Sequence, residues 1–271
     1  MRMLTPTVLG AVALAAALPV SAQSLEQRVS RAPQDRTLIF EFRAKPGVCG
    51  DGNSIMRVNE DEAVVITRNG RQMIESDRVS TRSGDCWTGP VRIEMRGGAA
   101  PTALRARVGA TDRPRDAVDL GTIEPGEAVT FLLGAARHAR STKAAESAVF
   151  ATTLADGVEP WRELLGLARA EDASRKARKS AVFWVGQAVG ERVTKGLVEL
   201  VGDDDVDMEA RETAVFALSQ RSDAEAVPAL IEIAKSSPHP KLRRSAVFWL
   251  GQSEDPRALA WFEQVLLQKS N

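Results

Sequence analysis

Two hydrophobic periods divide the chain. In the first part apolar and polar residues alternate. Leu38, Phe40 and Phe42 alternate with Ile39, Glu41 and Arg43, and Val91, Ile93 and Met95 with Arg92, Glu94 and Arg96. Leu104, Ala106 and Val108 alternate with Ala103, Arg105 and Arg107, and Ala63 to Thr67 is a β-branched run. A period of two predicts strands with one face buried and one wet. Turn residues separate these runs: Gly50-Asp51-Gly52-Asn53, Arg68-Asn69-Gly70-Arg71, Ser83-Gly84-Asp85 and Gly97-Gly98. Asn69-Gly70 is a hairpin signal, because both residues accept the positive φ of a tight turn. Gln23 to Gln34 reads as a short helix before the first strand. Residues 23–122 are therefore expected to form a small antiparallel β domain, with a sandwich as one arrangement.

From residue 123 onward the pattern is helical and repeats. Ser147-Ala148-Val149-Phe150 returns as Ser180-Ala181-Val182-Phe183, Thr213-Ala214-Val215-Phe216 and Ser245-Ala246-Val247-Phe248, with the Phe residues 33, 33 and 32 apart. A fixed period of this length signals stacked supersecondary units. Around the second copy Ala177, Ala181, Trp184, Val185 and Ala188 fall on one helical face. Val182 and Phe183 make that helix apolar on a second side, as a helix between neighbours requires. The Phe row is expected in the core. A second helix follows each copy, aligned at Leu164, Leu197, Leu230 and Phe262. An earlier stretch, Leu132-Leu133-Gly134-Ala135-Ala136-Arg137, matches Leu164 to Arg169. The expected unit is a Ser-Ala-Val-Phe helix followed by a Leu-row helix. That makes about four pairs after one lone helix, with the β domain covering one end and Ala258 to Leu267 the other.

At these positions the chain resembles the bacterial HEAT-like repeat of the PBS-lyase type. The residues that carry the likeness are Arg243, Ala246, Leu250-Gly251 and Asp255-Pro256-Arg257-Ala258, with Arg178 and Arg211 in the place of Arg243. The first copy departs, with Ala145 at the Arg position and no Gly after Phe150. The resemblance covers roughly Gly126 to the C-terminus and implies an α-solenoid. It also implies that the Arg row is a structural ladder. Some proteins with such repeats are phycobilin lyases or DNA glycosylases. Neither suits an exported, charge-balanced chain.

Composition narrows the classes. Of 271 residues 36 are basic and 36 acidic, which argues against a nucleic-acid binder. Residues 1–22 read as a signal peptide: Arg2, an apolar run from Val8 to Leu18, and Val20-Ser21-Ala22 as the cleavage site. The run is short for a span, so no stable membrane insertion is expected after cleavage. The destination is the periplasm or the medium. In an oxidising compartment the two cysteines, Cys49 and Cys86, are expected to form one disulfide, closing a loop worth about 3–4 kcal/mol.

Candidate chemistry is sparse. His138 and His239 are the only imidazoles and lie far apart in sequence. Asp51 between glycines fits a turn better than a calcium loop. Asp203-Asp204-Asp205 reads as a solvated acidic loop. Trp87 either covers the disulfide or stands exposed to a ligand. Lys143/Glu146, Lys176/Lys179, Glu209/Glu212 and Lys241/Arg244 alternate in sign down the last three units, and long side chains on stacked helices can pair. Gln187, Gln220 and Gln252 form a row expected to be a polar ladder beside Arg178, Arg211 and Arg243.

The sequence thus predicts an α+β multidomain protein: signal peptide 1–22, disulfide-bonded β domain 23–122, HEAT-like solenoid 123–271. The expected function is that of an exported, non-enzymatic scaffold or adaptor that uses no cofactor or metal. It would bind an unknown protein or peptide, and no nucleic acid, on the concave face. Trp161, Arg162, Lys195, Glu199, Glu232, Trp261 and Glu263 of the Leu-row helices are the candidate contacts. Two alternatives stay open: a β domain that binds a small ligand or glycan, and a lyase or hydrolase with an unrecognised site.

Overall fold

The computed structural model describes residues 23–58, 64–68, 71–75, 86–188 and 191–268. Residues 1–22, read above as a signal peptide, the Asn69-Gly70 turn signal and Ser83-Gly84-Asp85 lie outside the described residues. Helix α1 (Leu25–Arg31) begins at Ser24, where the Ser24 hydroxyl accepts from the Gln27 N–H and the Gln27 side chain accepts from the Ser24 N–H. This reciprocal cap satisfies two donors of the first turn.

Among the described residues eight strands follow in two sheets. The first has the order β7 (Ala103–Arg107), β6 (Val91–Arg96), β1 (Leu38–Phe42), β8 (Val118–Thr122). The second is a meander of β2 (Val48–Gly50), β3 (Ser54–Val58), β4 (Val64–Arg68) and β5 (Arg71–Glu75). Arg68 pairs with Arg71 in the antiparallel β4–β5 pair. Among the described residues all pairs are antiparallel except one: β8 runs parallel to β1. The sheet is therefore mixed and not purely antiparallel. Alternation reports which face is buried but not which way a strand runs.

Two positions also leave their expected faces. Ile39 is buried beside Leu38, and Arg107 is buried where alternation put it in water. The Arg107 guanidinium donates to the Gly52 carbonyl at 2.7 Å, to Glu94 at 3.0 Å and to Asp112 at 2.6 Å. Cys49 on β2 is bonded to Cys86, with Cα atoms 5.3 Å apart. The next residues, Gly50 and Trp87, exchange backbone hydrogen bonds at 3.0 and 2.9 Å. Gly50 has no room for a side chain, since a Cβ there would lie 2.6 Å from the Ser54 carbonyl oxygen. Trp87 itself is 54 % exposed.

The helices are α2 (Pro125–His138), α3 (Thr142–Thr152), α4 (Trp161–Arg169), α5 (Arg175–Gly186), α6 (Glu191–Gly202), α7 (Met208–Ser219), α8 (Asp223–Ser236), α9 (Pro240–Leu250) and α10 (Pro256–Gln268). Their pairing differs from the expected unit. The close antiparallel hairpins are α2 with α3, α4 with α5, α6 with α7, and α8 with α9. Each Leu-row helix thus pairs with the Ser-Ala-Val-Phe helix after it, and α10 is the one left over. A repeat of two helices has no intrinsic starting point, so spacing alone leaves this register open.

The inner helices α3, α5, α7 and α9 lie side by side along their lengths, while the Leu-row helices touch one another much less. Small residues allow the close inner approach. Ala148, Ala181, Ala214 and Ala246 are fully buried, and a Cβ on Gly186 would sit 2.7 Å from that of Ala217. Closer packing in one of two layers bends the stack toward that layer. Ser141, Ser174 and Asp207 start three of these helices, each accepting from the N–H three residues on at 3.1–3.5 Å.

No break in the core marks the change from strands to helices. Phe40 of β1 meets Phe131 of α2 edge-on at 5.8 Å. Ala44 bridges Ala155, and the Lys45 N–H donates to the Leu154 carbonyl at 2.8 Å. Arg43–Asp156 and Lys45–Glu159 ion pairs flank that bridge at 2.6 and 2.8 Å. At the far end Leu259, Leu266 and Leu267 of α10 are 63, 66 and 70 % exposed. The helix expected to cover this end therefore presents apolar side chains of its own.

Candidate functional site on the inner helices

Ala181 and Val182 of α5 turn into the core, and at 100° per residue Phe183 points to the opposite side. Ala214, Val215 and Phe216 of α7 repeat this geometry, while in the end units Phe150 is buried and Val247 is half-buried. Phe150, Phe183 and Phe216 with Trp249 form the floor of a groove of about 720 Å³ that runs across α3, α5, α7 and α9. Phe183 and Phe216 are half-buried, and Phe248 is 57 % exposed. The Phe row is thus a surface feature over most of its length and not core. Aromatic pairs stiffen it: Phe150–Trp184 and Phe183–Trp184 at 5.2 Å, and Phe216–Trp249 at 5.1 Å.

Polar side chains line the groove beside the rings. Ser147, Ser180, Thr213 and Ser245 supply one hydroxyl per unit. Sequence reading missed this row, though its signal is visible: one hydroxyl residue opens every copy of an otherwise apolar motif. The charged positions pair between units, Lys179 with Glu209 at 2.6 Å and Lys241 with Glu212 at 3.1 Å. The Lys179 ammonium holds Glu209 below the ordinary glutamate range.

Residues 163–238 match a family model of HEAT repeats, and residues 242–268 match the PBS lyase HEAT-like repeat. The helical half is a HEAT-like repeat solenoid. HEAT repeats form helical scaffolds that often mediate protein interactions, and their families are generally non-catalytic. A comparison with curated proteins finds no match.

In this HEAT-like solenoid the Arg row is bonded throughout. Arg178 donates to Asp207 at 2.8 Å and to the Ala173 carbonyl at 2.5 Å. Arg211, 3 % exposed, donates to the Val201 carbonyl and to Asp204 at 2.8 and 2.7 Å. Arg243 donates to the Ser237 carbonyl at 2.7 Å. A second set crosses between turns, Arg137 to Asp172 at 2.7 Å and Arg169 to Asp203 at 2.9 Å. The acidic loop is therefore engaged: Asp203 and Asp204 both hold arginines, and His239 lies 2.9 Å from Asp204. The Gln row forms no ladder between helices. Gln187 and Gln220 cap helix ends, Gln220 bonds Ser219 beside it, and Gln220 and Gln252 are exposed.

The seven residues expected on a concave face stand apart from the groove. Lys195 and Glu199 are exposed on α6, Glu232 on α8 and Glu263 on α10. Trp161 lies under the Arg162 guanidinium at 5.1 Å and lines a separate cleft beside Trp184, while Trp261 is buried. Which layer is concave depends on which packs more closely, and periodicity does not carry that. Among the described residues no three His, Cys, Asp or Glu side chains converge as metal ligands, and no helix is long and apolar enough to cross a membrane. Asp51 accepts from the Asn53 and Ser54 N–H groups, as a turn residue does.

These ion pairs set a pH dependence. Arg137 keeps Asp172 low, and His239 and then Arg211 keep Asp204 low. Asp255 is pulled to about 2, chiefly by the Arg257 guanidinium. Carboxylates depressed in the folded state add stability above their unfolded pKa and lose it as pH falls through the folded value. The melting temperature is expected to be level above about pH 5 and to fall progressively below about pH 4. Salt near 1 M should shrink that fall, because these groups are exposed. A melt that is flat to pH 2 would show that the ladder contributes nothing.

Proposed function

We propose that this protein is an exported, non-enzymatic scaffold that holds an extended segment of a partner protein along the inner-helix groove. One observation carries the reading: one open groove lines up an aromatic ring and a hydroxyl from each of four stacked helices, with charged residues from three of them. Stacked helix pairs offer such surfaces to extended ligands. Buried aromatic anchors supply most of the binding energy at such contacts. Export to the periplasm or the medium rests on the pattern of residues 1–22, and the Cys49–Cys86 bond suits that compartment.

Crosslinking capture from the periplasmic and medium fractions of the native host tests this. The chain from Gln23 is compared with a Phe183→Ser/Phe216→Ser variant and with a Glu199→Lys/Glu263→Lys variant on the outer helices. A partner that is lost with the first variant and kept with the second is the expected result. Loss only with the outer variant would move the site to the Leu-row helices. Retention by both would move it off these two surfaces, to the β half, where Trp87 is exposed, or to the α10 end of the solenoid.

A further inference from the structure

A second groove, of about 750 Å³, lies between α8, α9 and α10 at the end of the solenoid. Its walls are apolar at Val247, Trp261 and Val265, and its charged residues are Lys235, Arg243 and Arg244. Among the described residues no carboxylate lines it, in a chain whose formal charge is zero.

The repeat tells what these positions receive elsewhere. Lys235 stands at the place of Arg169, which takes Asp203 from the following turn. Arg243 stands at the place of Arg178, which takes Asp207 from the following turn, and of Arg211, which takes Asp204 from the turn before its own helix. Arg244 stands at the place of Lys179, which takes Glu209 from the next inner helix. In the inner units each of these cations meets a carboxylate of the chain itself. In the last unit Lys235, Arg243 and Arg244 make no ion pair among the described residues, and Lys235 and Arg244 are exposed. The three cations line one space whose other walls are apolar apart from Gln264.

We propose that this terminal groove is a docking site, independent of the inner-helix groove, for an acidic segment of a partner protein. The segment brings carboxylates to Lys235, Arg243 and Arg244, as Asp203, Asp207 and Glu209 do for Arg169, Arg178 and Lys179, and seats apolar side chains on Val247 and Val265. Carboxylate is the anion these positions bind within the molecule. The apolar walls favour a peptide over a free ion.

Fluorescence anisotropy on the chain from Gln23 tests the proposal. The probes are a labelled peptide alternating Leu and Glu, its Leu–Lys counterpart, and a labelled single-stranded oligonucleotide. The Leu–Glu peptide should bind, weaken steeply with salt, and lose about tenfold in affinity in a Lys235→Glu/Arg244→Glu variant. Both substituted side chains are exposed, so the variant should melt as the wild type does. The Phe183→Ser/Phe216→Ser variant should bind the peptide normally, which separates this site from the scaffold groove. Equal binding of the two peptides, no binding, or an unchanged affinity in the charge-reversed variant would overturn the proposal. Displacement of the peptide by inorganic phosphate or by the oligonucleotide at similar concentrations would overturn it too, in favour of a general anion site.

Discussion

Phe40→Ala will destabilise the protein by about 3–5 kcal/mol and lower its melting temperature by roughly 10 °C. Phe40 is fully buried in the central strand, and its ring meets Phe131 of the first solenoid helix. Truncation leaves a cavity between sheet and helix, walled by backbone that strands and helix turns hold in place. The informative part is the form of the transition. The core runs without interruption from Leu38 through Leu132 and Ala148 to Leu197. Helical circular dichroism and the fluorescence of Trp161, Trp184, Trp249 and Trp261 should therefore shift together, although the substitution lies in a strand. A mutant whose helical signal melts at the wild-type temperature would show that the two halves unfold separately.

Arg107→Met will cost roughly 3 kcal/mol, because it leaves a buried carboxylate without its cation. The Glu94 side chain is 13 % exposed and pairs with Arg107 at 3.0 Å. Asp112, 71 % exposed, regains water when Arg107 is removed, so the penalty rests on Glu94 and on the Gly52 carbonyl. Lysine is not an equal replacement, since one ammonium cannot reach a carbonyl and two carboxylates in the planar geometry of guanidinium. Urea melts of Arg107→Met, Arg107→Lys and the double variant Arg107→Met/Glu94→Gln check the account. The double variant should recover part of the loss. If it is no more stable than Arg107→Met, unpaired charge is not the cause.

The same residue marks where sequence reading stops. Alternation on β7 placed Leu104 inside correctly but put Arg107 in water. Nothing local announces that Gly52 and Asp112 close over it from other segments. The helical part was more legible, since a motif returning every 32 or 33 residues fixes both the stacking and the buried Ala-Val positions. Helix pairing was not legible, because either neighbour of a Ser-Ala-Val-Phe helix satisfies the same period. That ambiguity hid the groove. With the Phe row assigned to the core and the concave face to the Leu-row helices, Lys195 and Glu232 became candidates and Phe183 and Ser180 did not. Burial of one helical face is visible in a single sequence. Which of two apolar faces stays partly open depends on the spacing of neighbours, here set by contacts such as Gly186 against Ala217.

The Lys179–Glu209 and Lys241–Glu212 pairs bear on how such a chain can grow or shrink. Every unit offers its neighbours much the same apolar stripe, so packing alone would tolerate the loss or duplication of one unit. The charges would not. Excising α6 and α7 would set Lys179 against Lys241 and Arg244, and copying them once would set Glu209 and Glu212 against their duplicates. Adding or removing two adjacent units restores the alternation. The order of signs therefore acts as a parity rule on repeat number, and a library of unit deletions and duplications should return folded, soluble chains mainly in steps of two.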